Sequence, residues 1–542
     1  MTPTEKGSLP GAGGEVNAAP PAPAPSAIRE AGLVSALTLA SRVLGLAREQ
    51  VFAALLGAGL YADAFRIGFR IPNLLRDLFA EGALSAAFVP TYARALAHEG
   101  RPDAHRLASR LLTLLAVILA ALVVAGVAFA GPLVAVLAPG FEAVSGKTEF
   151  TIRLTRIMLP FLPLVSFAAV AMGMLNAEER YTMPALSPAL FNLVTIVWAG
   201  ALWALGLPPE KVALGWAVGT LLGGAAQFLV QVPALRRTGW TYRPQWAPRD
   251  PGIARIAALM APATVGLAAV QINIFVNSIF ASRVPGAVSW LDYAFRILYL
   301  PIGIFGVAVG TIATTRLARR AAVDDVAGLR ATLRDSLAMV AFLSVPATVG
   351  LMVLGVPVVR LLYERGQFTA TDTQNTATAL LYYSCGLVAY TGVKVLAPAF
   401  YALGRPRVPL AASASAVATN VAVNLLLFGR LGFRAVALGT ALGSLVNAVI
   451  LVAAFEGRFG GLRGHGLAAR LTRVMGSALL MAPVTWLAAA GLAHWLGSRG
   501  FPAQLAVGLL PVVVGVLAYG AATRWLKVPE AEAVLALIRR RF

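Results

Sequence analysis

Apolar residues in this chain gather in long runs rather than in a polar–apolar rhythm. Fourteen stretches are legible, at roughly 31–58, 62–93, 108–138, 152–176, 184–207, 211–235, 255–282, 288–315, 334–358, 372–402, 408–429, 433–455, 471–495 and 503–523. A bilayer crossing needs about 20 mostly apolar residues. Strands of a membrane barrel would be about ten residues long and alternating, so these runs predict transmembrane helices. The two ends differ. Residues 1–29 are rich in Pro, Ala and Gly and read as a disordered cytoplasmic tail. No cleavable signal peptide is expected, because the first apolar stretch begins near Ala31 and contains Arg42 and Arg48. Residues 527–542 end in Arg539-Arg540-Arg541 and read as an amphipathic, basic cytoplasmic tail lying on an anionic membrane surface.

Composition agrees with the pattern. Of 542 residues, 58% are hydrophobic and 13% charged, with a mean hydropathy of +0.76. A soluble protein carries about 25% charged residues, so a soluble enzyme and a disordered chain are excluded. A single cysteine, Cys385, excludes a disulfide scaffold and reads as a small hydrophobe. The net charge of +21 would suggest nucleic acid in a soluble protein. Here its distribution suggests topology instead, and no nucleic-acid partner is expected. With both termini inside, the inner segments hold 28 Lys and Arg and the outer loops 9, as the positive-inside rule requires.

With residues at the ends of the stretches counted among the loops, eight basic residues remain inside: Arg42, Arg48, Arg66, Arg70, Arg76, Arg156, Arg296 and Lys394. Uncompensated, they would cost about 20–28 kcal/mol on the insertion scale. Five lie on the first two stretches, so they are not scattered. On an ideal helix Asp63, Arg66, Arg70, Asp77 and Glu81 share an arc of about 60°, which Pro72 will kink. Arg42 and Glu49 share a face of the first helix, and Asp292 and Arg296 are an i,i+4 pair. Buried salt bridges between helices would explain single pairs. The imbalance argues for more: eight bases face five acids, Glu49, Asp63, Asp77, Glu81 and Asp292. Arginine's planar fork suits phosphate and never deprotonates, so the surplus predicts a cavity for a phosphate or carboxylate ligand.

The chain also repeats. Ala64-Phe65-Arg66-Ile67 returns as Ala294-Phe295-Arg296-Ile297, six stretches later, each followed by a proline, Pro72 and Pro301. An echo links Ala177–Pro184 with Ala402–Pro409. An even shift relates two lobes by an axis along the membrane normal. The expected organisation is a six-helix lobe over 30–237, a second over 238–458, two further helices over 459–526, and the tail.

Catalytic chemistry is hard to find. Gly146-Lys147-Thr148 has the ending of a P-loop, but five residues separate Gly140 from Gly146 instead of four, so ATP binding is not expected. The four histidines show no metal-ligand spacing, no cofactor is expected, and transport without covalent chemistry is the simpler account. Lys394 and Arg156 are single charges able to snorkel or to meet a carbonyl. Gln271, Asn273, Asn277, Asn420 and Asn424 suit interhelical hydrogen bonds, or a cation site lacking a carboxylate.

The run Ser41-Arg42-Val43-Leu44-Gly45-Leu46-Ala47-Arg48-Glu49 resembles the opening signature of the MurJ/MviN family of lipid II flippases. Phe52 to Gly59, Asp63-Ala64-Phe65, Ile71-Pro72-Asn73-Leu74-Leu75-Arg76, Phe79-Ala80-Glu81-Gly82-Ala83 and Ala87-Phe88-Val89-Pro90 are similar too, as are Glu364-Arg365-Gly366-Gln367-Phe368 and Ala399-Phe400-Tyr401-Ala402. The resemblance covers about residues 30–525. It implies the MOP exporter fold: two six-helix lobes around a V-shaped cationic cavity, with the last two helices forming a groove for the polyprenyl tail. The family's functional residues fall on Arg42, Arg48, Asp63, Arg76 and Arg296. Glu49 stands where many members have Asp, Asp77 where a second Arg is common and Tyr299 where some have an acid; Arg66 is additional. The expected site is Arg42, Arg48, Glu49, Asp63, Arg70, Arg76 and Arg296, with Arg42, Arg48, Arg76 and Arg296 on the anion and Asp63 and Glu49 orienting the arginines or competing for them.

The expectation is thus an all-α polytopic protein of the bacterial cytoplasmic membrane with 14 transmembrane helices. It would move lipid II by alternating access, with membrane lipids and the cell-wall synthesis machinery as partners. The rivals are another MOP exporter, for drugs or polysaccharide-linked lipids, and a non-transporting membrane scaffold.

Overall fold

The computed structural model describes residues 25–76, 83–460, 466–497 and 500–539. Asp77, Glu81, most of the N-terminal tail, Arg540 and Arg541 lie outside the described residues. Every regular element among the described residues is helical. The stretch at 31–58 is α1 (Pro25–Leu56). The next, expected as one helix over 62–93, comprises α2 (Leu60–Arg76) and α3 (Ala83–His98), on either side of residues 77–82. The third holds α4 (Arg101–Ala128) and the short α5 (Ala130–Leu137). The fourth divides into α6 (Lys147–Met158) and α7 (Phe161–Ala177) at Pro160, which has no N–H to continue the ladder. α8 (Thr182–Ala204), α9 (Pro209–Leu229) and α10 (Val232–Arg236) complete the first half.

The second half opens with α11 (Pro251–Ala281), whose first amides are capped by the Asp250 carboxylate. The stretch at 288–315 is interrupted: α12 (Ala287–Pro301) passes through a π-helical turn, Ile302–Val307, into α13 (Ala308–Ala322). α14 (Val326–Tyr363) follows. α15 (Ala370–Ser384), which begins with a Thr369–Asp372 capping box, meets α16 (Leu387–Ala402) at a bend of 46°. Then come α17 (Arg407–Leu431), α18 (Phe433–Phe459), α19 (Leu467–Leu496), α20 (Phe501–Trp525) and α21 (Pro529–Arg539).

Among the described residues, ten helical runs are long and apolar enough to cross a membrane, eleven if the bent α15–α16 pair is one span. The expected crossings outside that set are α1, α2–α3 and α11. Of these, α1, α2 and α11 bring Arg48, Glu49, Arg66, Arg70, Gln271, Asn273 and Asn277 to the interior cavity.

Packing positions that cavity. One core joins both halves. It takes Phe52 and Leu56 from α1, Phe65 and Ile67 from α2, Leu154 from α6, Trp216 from α9, Tyr293 from α12, Tyr363 from α14 and Phe433 from α18. It lies where α1 ends and α2 begins, and we call this the sealed end. A second core draws on α3, α4, α7 and the start of α11, including Phe88, Leu111, Met174 and Ile256. A third draws on α13, α14, α16, α17 and α18, including Leu317, Leu333, Phe400 and Phe455. The first core thus joins the two sets of helices at one end, while at the other the third core is built from α13–α18 and the second from α3, α4 and α7 with only the start of α11, which leaves a V between them. α19 and α20 pack on α14 through Phe342, Val474, Met481 and Tyr519.

Candidate anion-binding cavity

The V holds a cavity of ≈ 650 Å³ lined by α1, α2, α9, α11, α12, α15, α16, α17 and α18. Most of its charge comes from three helices. α1 supplies Arg48 and Glu49, α2 supplies Arg66 and Arg70 one turn apart, and α12 supplies Asp292 and Arg296 one turn apart. α2 can sit deep because Gly68 presents no side chain to α6; a Cβ there would stand 3.2 Å from Thr155 Oγ1.

The charges form one network. Arg48 Nη2 donates to Glu49 Oε1 at 2.9 Å, and Arg296 Nη1 lies 3.3 Å from the same oxygen. Arg296 Nε donates to Asp292 Oδ2 at 2.8 Å, which also accepts from Arg66 Nη1. Arg66 Nη2 lies 3.6 Å from Glu49 Oε2, and Arg70 Nη2 lies 3.9 Å from Asp292 Oδ1. Arg70 Nη1 donates to Ser278 Oγ of α11, tying α2 to the second half. Four guanidiniums thus share two carboxylates, and Lys394 on α16 adds a fifth positive charge to the lining. One-to-one salt bridges would have left no surplus.

The four arginines are not equivalent. The Arg66 side chain is 6% exposed and that of Arg296 is 43%. Arg66 lies between the rings of Phe52 and Tyr293, 5.0 and 4.2 Å from their centroids, and its Nε and Nη2 are buried without a hydrogen-bond partner. Cation–π attraction holds it there. Arg296, Arg48 and Arg70 line the cavity and are less buried, and two oxygens of a phosphate or carboxylate fit a guanidinium fork.

The other expected site residues lie elsewhere. Arg42 is on an exposed part of α1 and does not line the cavity; Arg76, half-buried at the end of α2, does not line it either. Among the described residues Asp63 pairs with Lys147 and with no arginine, contrary to the expectation that it orients them. It is fully buried at the sealed end and bound to Lys147. The periodic arc on α2 failed here because its N-terminal turn enters the sealed core before Arg66 reaches the cavity. Arg156 meets a carbonyl, donating from Nε to Val127 O at 3.2 Å.

Three residues lie outside the expected site. Arg66 has no counterpart in the family resemblance, although it shares the arc of α2, and Asp292 is marked in sequence only by its i,i+4 spacing to Arg296. Lys147 belongs in sequence to an imperfect P-loop, and nothing near it marks a buried cation.

The amides bind each other. Asn420 Nδ2 donates to Asn273 Oδ1 at 2.5 Å and Asn277 Oδ1 at 2.8 Å, Asn277 Nδ2 to Thr440 Oγ1 at 3.1 Å, and Asn424 Nδ2 to Asn420 Oδ1 at 2.9 Å. They join α11, α17 and α18 into one cavity wall. Asn420→Leu is expected to cost roughly 1–3 kcal/mol of stability, read as a lower unfolding temperature in detergent.

The family model described as "Lipid II flippase MurJ" matches residues 52–503. A relative from Vibrio cholerae, named a probable lipid II flippase MurJ, is 36% identical over 427 residues, covering 77% of this chain and 81% of that protein. Among solved structures, a lipid II flippase MurJ in an inward closed conformation superposes with a TM-score of 0.74 at 24% identity, over 91% of this chain and 98% of that one. An inward-facing multidrug resistance MATE family transporter of the MOP superfamily superposes with a TM-score of 0.67 at 18% identity, over 80% of this chain and 98% of that one.

Proposed function

This chain belongs to the MurJ family of lipid II flippases, and from that premise we propose that it carries lipid II across the bacterial cytoplasmic membrane by alternating access. The observation that carries the reading is the network in which four guanidiniums share two carboxylates on the wall of a ≈ 650 Å³ cavity. A bare diphosphate cannot enter hydrocarbon without losing its hydration. Arg48, Arg70 and Arg296 replace that hydration, with Glu49 and Asp292 as the internal anions the diphosphate displaces.

The halves, 30–237 and 238–458, act as the two rocking lobes. The excess of basic residues in alternate loops supports a cytoplasmic position for both termini. The sealed end then faces outward and the V opens toward the cytoplasm, where the precursor is made. α19 and α20 expose Leu479, Leu487, Leu509 and Val516, an apolar surface on which the polyprenyl tail stays in the bilayer. The net positive lining disfavours cationic drugs as cargo.

The test is rescue of cells depleted of their own flippase, with lipid II exposed on the outer leaflet as the readout. Arg48→Ala and Arg296→Ala are each expected to lower exposure about tenfold or more at normal protein level, as loss of charged hydrogen bonds predicts. Normal growth from both variants would overturn the reading.

A further inference from the structure

Lys394 stands apart from the arginine network. It lies on α16, lines the cavity and is exposed there. Among the described residues its ammonium makes no ion pair and no hydrogen bond, whereas each of the four arginines meets a carboxylate. The place of the lysine is nevertheless built. A Cβ on Gly306, in the π-helical turn, would stand 3.5 Å from Lys394 Cγ, and a Cβ on Gly310 would stand 2.6 Å from Lys394 O. α16 therefore crosses the turn and the start of α13 at backbone distance, and the crossing fixes the base of the side chain.

The crossing also sets its depth. Gly306 follows Arg296 by ten residues, running away from the sealed end. At 1.5 Å per residue the ammonium stands about 15 Å nearer the open end than the arginines. The wall between the two charges is aromatic. Phe295 packs against Tyr299, Tyr383 and Tyr390 with centroids 6.3, 5.4 and 6.2 Å apart, and all four rings line the cavity. Tyr299 is 52% exposed, and the Tyr390 hydroxyl donates to Thr440 O at 3.2 Å. Rings with an apolar face and a polar tip suit sugars, which carry C–H faces and hydroxyl edges.

We propose that Lys394 is a second anion subsite, which takes a carboxylate of the cargo headgroup about 15 Å from the diphosphate held by the arginines. The inference deepens the transporter reading and rests on it for its cargo. The lipid II headgroup joins a diphosphate, two sugars and a peptide, and the peptide carboxylates are its anions remote from phosphate. Arg48, Arg70 and Arg296 hold the diphosphate, Tyr299 and Tyr390 face the sugars, and Lys394 donates to the peptide. An ammonium on a flexible stem is a point charge with three rotatable donors, so it follows a peptide whose carboxylate is less fixed than a diphosphate. An unpaired cation at membrane depth is costly, and a cargo carboxylate offsets that cost. A carrier lipid without a peptide meets the arginines alone, so Lys394 selects the finished precursor.

The experiment uses the purified full chain in nanodiscs of neutral phospholipid. Binding is measured for lipid II, for lipid II with its peptide carboxyl groups amidated, and for polyprenyl diphosphate. Lys394→Met is expected to weaken lipid II binding about tenfold, the scale of one charged hydrogen bond, and to leave polyprenyl diphosphate binding unchanged. Amidated lipid II is expected to bind the unaltered chain about tenfold less tightly than lipid II and to be indifferent to Lys394→Met. Arg296→Ala is expected to weaken all three. The unfolding temperature of Lys394→Met is expected to match that of the unaltered chain, because no partner is lost.

Equal losses for lipid II and polyprenyl diphosphate in Lys394→Met, no loss for either, or an amidated lipid still sensitive to the substitution overturns the subsite while leaving the cargo reading in place. An unaltered chain that binds none of the three lipids overturns the cargo reading and the subsite with it.

Discussion

Replacing Asp292 by Asn is expected to abolish lipid II exposure and to destabilise the chain by about 3–5 kcal/mol, the usual cost of removing one partner of a buried ion network. Asp292 meets Arg66, Arg70 and Arg296. Without it four guanidiniums are left with Glu49 as their one carboxylate in the network, and Arg66, the most buried of them, has nowhere to relax because Phe52 and Tyr293 hold its plane. Thermal unfolding in detergent checks the stability, and the cell-based exposure assay checks the transport. Arg296→Ala removes a charge from the same network but is expected to destabilise far less, because Arg296 is the half-exposed member. A fall in unfolding temperature equal for the two variants would mean that the carboxylate has no special place.

Gly366→Ala is the second large effect. Gly366 lies in the turn before α15 at φ +56°, and a Cβ there would stand 2.1 Å from Ala54 O of α1. The next amide, Gln367 N, donates to that carbonyl at 2.8 Å. The turn and the end of α1 thus meet backbone to backbone, and a methyl group would hold them apart. The expected result is a sealed end that cannot close: in a chain carrying Cys385→Ser and Val288→Cys, labelling by a membrane-impermeant maleimide added to intact cells rises, and transport stops. Gly404→Ala is the control, because Gly404 has φ +68° but nothing within 4 Å of its would-be Cβ. It bears only the backbone strain, about 1–2 kcal/mol, and is expected to stay closed and active. Equal behaviour of the two variants would assign the effect to strain alone.

The all-helical class was legible because continuous apolar runs have no other solution in a bilayer. Breaks within the runs were less legible. Pro160 and Pro301 mark two of them, yet Pro72 lies inside an unbroken α2. A proline weakens the ladder, and the neighbours decide whether it parts. The surplus of arginine over carboxylate in α1, α2 and α12 was visible as composition. Which arginine is buried was not, because Phe52 and Tyr293 come from helices 241 residues apart in sequence. Asp63 shows the limit of periodicity: its angle on α2 is that of the arginines, but its depth along the helix puts it in a different environment. Lys147 shows the same limit from the other side, since its partner is 84 residues away.

The π-helical turn after Pro301 gives α12 an unequal pair of ends. At its start the helix is pinned by the Asp63 carboxylate, which accepts from Gly286 N at 2.8 Å and Ser289 N at 2.9 Å. At its far end the wider coil of Ile302–Val307, with Gly303 and Gly306, separates it from α13. Such wide turns cost regular hydrogen bonding and gather at working sites. α12 is therefore a lever with one clamped end and one swivel. When the clamp lets go, Arg296 can swing with its phosphate while α13 stays seated against α14 and α16.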